Sequence, residues 1–259
     1  MGDSPKNLAD ILRASAGKLK SRTTAAIIVA GGSSTRMGGD TPKQFLELCG
    51  MPVAVHTMRA YEESEYIDQI YVVARQEDIE SGIYDTYAEK FEIKKYRKCV
   101  AGGKTRQESV LKGIEALSDD VKFVAIADAA RPLTTPELIN SVCLAAYRYG
   151  AASAGCPAVD TIKTVDNHKF ITGTVERATA WQAATPQAFG LPLYRAAAYS
   201  ALDEGFECTD DNSLVERLER RIKFVDCGRY NIKITEKLDL LLAETILSSR
   251  DSILWEDEE

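Results

Sequence analysis

The segment AAIIVAGGSSTRMGGDTPK, from Ala25 to Lys43, runs an apolar strand into a glycine-rich loop that ends on two cations. Ala26-Ile27-Ile28-Val29-Ala30 is a continuous apolar run, as a strand buried on both faces requires. Gly31, Gly32, Ser33, Ser34 and Thr35 then offer backbone N–H groups and hydroxyls with few side-chain obstructions, the material of a concave anion nest. Arg36 and Lys43 supply positive charge. A loop of this kind at the carboxyl end of a parallel strand is where open α/β sheets place phosphates. Neither G-x-x-x-x-G-K-[ST] nor G-x-G-x-x-G can be read from Gly31, Gly32, Gly38 and Gly39, so the two commonest phosphate loops are excluded.

The rest of the chain alternates in the way such a strand demands. Helix patterns over 53–63, 79–91, 105–117 and 136–149 alternate with apolar strands at 67–74, ending near Val100, at 121–127 and at 151–157. Repeated strand and helix with short links predicts a doubly wound, mainly parallel sheet covered on both faces. Between Val159 and Thr185 the pattern changes: residues 161–165 and 170–175 alternate around a polar Asp166-Asn167-His168 turn, a β-hairpin signal. A hairpin that interrupts such a domain projects from it, and its exposed edges then need cover from another subunit. Helices at 192–204, 211–218 and 236–247 and a strand at 222–226 complete the chain. The organisation expected is an N-terminal extension over 1–24, one domain over 25–248 with an arm at about 159–185, and an acidic tail over 249–259. Leu8, Ile11, Leu12 and Leu19 give the extension roughly helical spacing.

Composition narrows the function. A net charge of −7 argues against sequence-independent nucleic-acid binding, which needs a basic face. The cations near the loop therefore read as a local site. The six cysteines are scattered without a C-x-x-C pair or a histidine at metal spacing, which predicts reduced thiols rather than a zinc or redox motif. Residues 1–24 hold no apolar core of signal-peptide length and no later segment is long enough to span a bilayer, so the expectation is a cytoplasmic protein without a membrane partner. Lys6 stands where a myristoylation site needs Ser or Thr.

A second acid-bearing strand supplies the remaining chemistry. Residues 121–127 deliver Asp128 to a strand's carboxyl end, ahead of Ala129-Ala130-Arg131-Pro132. A carboxylate there, on the edge of the glycine loop, suits Mg²⁺ held against a nucleoside triphosphate; the structural alternative is an acid that caps the following turn. The pattern A-G-G-x-x-x-R-M followed by P-K-Q resembles the signature of nucleotidyltransferases that make activated sugars and polyols. Taken in order, AGGSSTRM, TPKQF, AGGKTRQESV, DAARP, VDTIK, TVER, ATPQAF, TDD and NIKIT resemble the 2-C-methyl-D-erythritol 4-phosphate cytidylyltransferase family across about residues 25–248. Several of these motifs are shared with ribitol 5-phosphate cytidylyltransferases.

The resemblance implies attack of a polyol phosphate oxygen on the α-phosphorus of CTP, with release of pyrophosphate. It implies that Arg36, Lys43 and Lys233 stabilise the charge on the five-coordinate phosphorus. Ala30, Gly31, Gly32, Ser33, Gly102, Gly103, Ser109 and Asp128 would hold the nucleotide. Ala129, Arg131, Thr161, Arg177, Thr185 and Thr209 would grip the polyol phosphate, part of this set arriving from the partner of a homodimer. Mg²⁺ would sit on Asp128, with Asn231 as a further oxygen donor. Three positions depart from the family pattern: Lys104 where an acid is frequent, Ala127 where many members have His, and Tyr230 where Asp is frequent. The other readings are CDP-ribitol synthesis, a nicotinamide dehydrogenase, which lacks its dinucleotide fingerprint, and a non-catalytic nucleotide-binding module, against which Arg36, Lys43, Asp128 and Lys233 together argue.

Overall fold

The computed structural model describes residues 22–32 and 41–249. The expected helical extension, Ser33 and Arg36 of the loop, and the acidic tail beyond Ser249 lie outside the described residues.

Chain order is β1 (Thr24–Val29), β2 (Glu47–Leu48), β3 (Met51–Pro52), α1 (Val53–Glu63), β4 (Gln69–Ala74), α2 (Gln76–Glu80), α3 (Ile83–Lys90), β5 (Tyr96–Ala101), α4 (Arg106–Glu115), β6 (Phe123–Asp128), α5 (Pro136–Tyr149) and β7 (Ala151–Pro157). There follow β8 (Lys163–Val165), β9 (Ile171–Thr174), β10 (Trp181–Gly190), α6 (Leu191–Asp203), α7 (Asp211–Glu216), β11 (Lys223–Asp226) and α8 (Lys237–Ser248). The main sheet has seven strands in the order β11-β7-β10-β6-β1-β4-β5. Its neighbours pair in parallel except on either side of β10, which is antiparallel to both β6 and β7.

The central strands are apolar because both of their faces are covered. In β1, Ala26 and Ile28 enter one core with Ala54, Met58 and Tyr61 of α1 and Ile139 and Val142 of α5. Ala25 and Ile27 face the opposite core, beside Val110 and Ile114 of α4 and Tyr194 and Ala197 of α6. The two-residue side-chain period of a strand thus feeds two cores at once. Each buried Ile or Val contributes roughly 1.5–3 kcal/mol relative to exposure. Helix α4 lies especially close to the sheet: a Cβ added at Gly113 would stand 2.9 Å from Ile27 Cγ2 and from Val73 Cγ2.

The sequence expectations need three corrections. The single helix expected over 79–91 is two, α2 and α3, separated at Gly82, whose φ of +65° is a left-handed conformation that glycine adopts without strain. The arm ends earlier than 185, because Trp181 already pairs with Pro157 in the main sheet. Residues 181–190 form a strand for which the sequence offers no pattern. The hairpin itself is present: β8 and β9 pair antiparallel and every residue of β8 is exposed.

Candidate active site

Chain reversal at β1 creates the site. From β1 the chain proceeds to β4 and β5 on one side of the sheet and then returns to β6 on the other, so the connections leaving the carboxyl ends of β1 and β6 run to opposite sides. Such a switch point leaves a crevice. Val29 lies in register with Asp128, and the Ala129 N–H donates to the Val29 carbonyl at 3.0 Å, which fixes the two strand ends side by side. Above them is a cavity of about 350 Å³ lined by Ala30, Gly31, Gly32, Lys43, Gly103, Ser109, Asp128, Ala129 and Lys233, together with Gln44, Lys104, Thr105 and Arg106. Most of the loop, acid and lysine residues singled out from the sequence therefore meet in one place.

Asp128 is the electrostatic centre of this cavity. Lys233 Nζ stands 2.8 Å from its Oδ2, Arg131 Nε 3.6 Å from the same oxygen, and Arg106 Nε 3.5 Å from Oδ1. Burial alone would raise the carboxyl pKa; Lys233, then Arg106 and Arg131, outweigh it and bring the value down to about 2. The group is an anion at every physiological pH. Lys233 owes its place to its neighbours: Ile234 is fully buried against Leu48, Val53 and Leu133, and its N–H donates to the Ala130 carbonyl at 2.8 Å.

The glycine turn after β5 forms the opposite wall. The Ser109 hydroxyl accepts from the Gly103 N–H at 3.0 Å and donates to the Thr105 carbonyl at 2.8 Å, and the Glu108 carboxylate accepts from the Lys104 N–H at 2.7 Å. Thr105 caps α4 through the Glu108 N–H. The turn is closed on itself and leaves no room for larger residues: a Cβ at Gly103 would lie 2.3 Å from Glu108 Cβ, and one at Gly102 2.8 Å from Ser109 Oγ. Gly102 supports this turn by donating its N–H to the Ala74 carbonyl.

Other expected residues occupy different positions. Thr185 is buried behind Asp128, and its hydroxyl accepts from the Asp128 N–H at 3.1 Å. Asn231 donates its amide to the Thr185 carbonyl at 2.9 Å and accepts from the buried Thr134 hydroxyl at 2.9 Å. Its side chain thus ties the turn after β6 to β10. Arg131 donates to the Asn231 carbonyl at 2.6 Å, while its buried Nε makes no hydrogen bond. Thr161 and Arg177 are brought together, at 2.9 Å, but at the base of the hairpin. Arg177 lines a second cavity of about 380 Å³ with Cys156, Asp226 and Arg229. Thr209 is exposed ahead of α7.

Arg106 is a site residue that the sequence reading did not single out. Its guanidinium pairs with Asp211 at 2.6 Å, and Asp211, only 1% exposed, accepts from the Tyr194 hydroxyl at 2.6 Å. Burial pushes the Tyr194 pKa up, with the Asp211 charge adding to it, so the phenol remains a donor. The quoted run KTRQES contains Arg106, but its partner is 105 positions away along the chain.

All six cysteines are free, and among the described residues no three His, Cys, Asp or Glu side chains form a group suited to a metal ion. No helix among the described residues is long and apolar enough to cross a membrane.

Known proteins resemble the whole of this assembly. Residues 24–249 match the family described as IspD: 2-C-methyl-D-erythritol 4-phosphate cytidylyltransferase. The enzyme of that name from Caldanaerobacter subterraneus subsp. tengcongensis is 44% identical over 223 residues, which are 86% of this chain and 98% of the relative. The one from Syntrophus aciditrophicus is 39% identical over 226 residues, 87% of this chain and 96% of its own. The crystal structure of 4-diphosphocytidyl-2C-methyl-D-erythritol synthase from Anaerococcus prevotii superposes with a TM-score of 0.79 at 28% identity, covering 90% of this chain and 99% of that one.

Proposed function

The chain belongs to the 2-C-methyl-D-erythritol 4-phosphate cytidylyltransferase family, and from that premise we propose how its cavity carries out cytidylyl transfer. The reaction joins CMP from CTP to 2-C-methyl-D-erythritol 4-phosphate, a step of isoprenoid precursor synthesis. A phosphate oxygen of the polyol forms a bond to the α-phosphorus of CTP as the bond from that phosphorus to the bridging oxygen breaks, and pyrophosphate leaves. A phosphate monoester is already a nucleophile at neutral pH, so no general base is needed. The protein's task is alignment and neutralisation of charge.

The observation that carries this reading is the cluster around Asp128: a buried carboxylate at the strand edge with Lys233 at 2.8 Å, in a cavity that Lys43 also lines. Lys43, Lys233 and Arg36 supply the positive charge for the α-phosphate. The Gly31-Gly32 and Gly102-Gly103 segments give backbone close access to the nucleotide, and Ser109 holds the second of them in shape. Thr185 and Asn231 act from behind, fixing Asp128 and Arg131.

One carboxylate without a surrounding cage of acids suits Mg²⁺, which keeps water and substrate phosphates among its ligands. Asp128 would hold the ion, whose charge would help neutralise the triphosphate. Arg177 and Thr161, paired at the base of the arm, serve the polyol phosphate, and in a homodimer they serve the partner's cavity.

Pyrophosphate release from CTP, measured with 2-C-methyl-D-erythritol 4-phosphate and separately with ribitol 5-phosphate, tests the reading. Turnover with the first and a much lower kcat/KM with the second is the expected result. No release with either polyol phosphate would overturn it.

A further inference from the structure

Gln44 is a residue of the cavity wall that carries a buried, unsatisfied donor. It is the middle residue of the short 3-10 turn Lys43–Phe45 and is 2% exposed, yet it lines the cavity alongside Gly31, Gly32 and Ala130. Its amide Nε2 makes no hydrogen bond. Buried polar groups in native proteins are nearly always paired, because an unpaired amide forfeits its hydration without recompense. An orphan donor in the wall of a cavity is explained most simply by a ligand acceptor.

The surroundings define that acceptor. Gln44 follows Lys43 directly, and the cavity also carries Lys104, Arg106 and Lys233. A wall of cations and amide donors suits an oxygen-rich anion. The Gly103–Ser109 turn lines the same cavity.

We propose that Gln44 is a binding residue that donates its Nε2 hydrogen to an oxygen of the nucleotide's triphosphate. The inference rests on the reading of this cavity as the CTP site. It implies that Gln44 weakens the empty protein and strengthens the occupied one. A side chain of similar length without the amide therefore separates the two effects. Gln44→Leu and Gln44→Met are the variants, the second guarding against a local misfit of the branched side chain.

CTP with Mg²⁺ is titrated calorimetrically in the absence of polyol phosphate, cytidine is titrated by NMR, and the nucleotide-free proteins are melted. Because a hydrogen bond to a charged group is lost, CTP should bind about tenfold or more weakly to both variants. Cytidine affinity should stay within about twofold of wild type, and at least one variant should melt no lower than wild type, as expected when a buried orphan is replaced by an apolar group. Wild-type CTP affinity in both variants would overturn the proposal. An equal loss for cytidine would overturn it too, by placing the contact on the base or ribose. Wild-type protein that fails to bind CTP would overturn the reading of the cavity itself, and this inference with it.

Discussion

Lys233 and Asp128 show how much a single contact can decide. The lysine stands 2.8 Å from a carboxylate whose other neighbours are two arginines, and with them it holds that carboxylate in its charged form. Lys233→Ala should lower kcat by about 10² or more, the scale of losing a preorganised donor where charge develops. Steady-state kinetics with CTP and the polyol phosphate check this; a rise in KM with kcat unchanged would make Lys233 a uniform binder. Asp128→Asn should raise the Mg²⁺ concentration needed for half-maximal activity by about tenfold or more, since a neutral amide is a poorer ligand for a hard ion. Both residues were legible in the sequence because short motifs surround them. Arg106 was not, since an arginine at a helix start reads as solvated, and what makes it special is Asp211 far along the chain. The bond that ties Asn231 to Thr134 is illegible for the same reason, since the two are remote in sequence.

At the scale of elements, helix α4 carries Arg106 and Ser109 to the cavity and is seated on the sheet through Gly113. Gly113→Ala should destabilise the protein by about 1–2 kcal/mol, because overpacking against Ile27 and Val73 exceeds the helix-propensity gain of roughly 1 kcal/mol. Denaturant melts measure this directly. The β2–β3 ribbon after Lys43 is held by α1, whose His56 Nε2 donates to the Leu48 carbonyl at 2.7 Å. Burial, with the charge of Arg59, pulls the His56 pKa below its ordinary value, and two backbone hydrogen bonds oppose it only in part. The folded state therefore favours the neutral ring. Its stabilising contribution is complete above about pH 6.5 and is lost as pH falls through the lower folded value. Wild-type melting temperature should drop over that interval more steeply than that of His56→Gln. Elements with one clear period were readable from sequence, and α1, α5 and β7 have the very limits the pattern gave. Strand β10 was missed because WQAATPQAFG has neither alternation nor a continuous apolar run, and Pro186 argues against a central strand. Its register with β7 shifts between Ala183 and Gln187, a local irregularity that accommodates the proline and leaves Thr185 against Asp128.

For the whole molecule, the hairpin is a part that the described residues of its own chain leave uncovered. Val165, Phe170 and Ile171 are 53, 72 and 66% exposed, an unusual concentration of apolar surface on a two-stranded ribbon that is marginal on its own. A second copy of the chain packed on it would bury this surface and protect the strand edges, and would bring the Arg177–Thr161 pair at its base towards the partner's polyol phosphate. Subunit mixing decides whether that geometry is used. Lys43→Ala and Arg177→Ala proteins, each inactive alone, are combined under conditions that exchange subunits, with exchange verified by mass-tagged chains. In a mixed dimer with Arg177 acting across the interface, one of the two sites combines Lys43 from one chain with Arg177 from the other, and the second site lacks both. Random exchange makes about half the dimers mixed, so roughly a quarter of all sites should regain activity. A mixture that stays as inactive as its components after full exchange would place Lys43 and Arg177 in the same subunit's site. Sedimentation of the wild-type chain as a monomer at assay concentration would remove the shared site altogether, leaving the cavity above β1 and β6 to act within one chain.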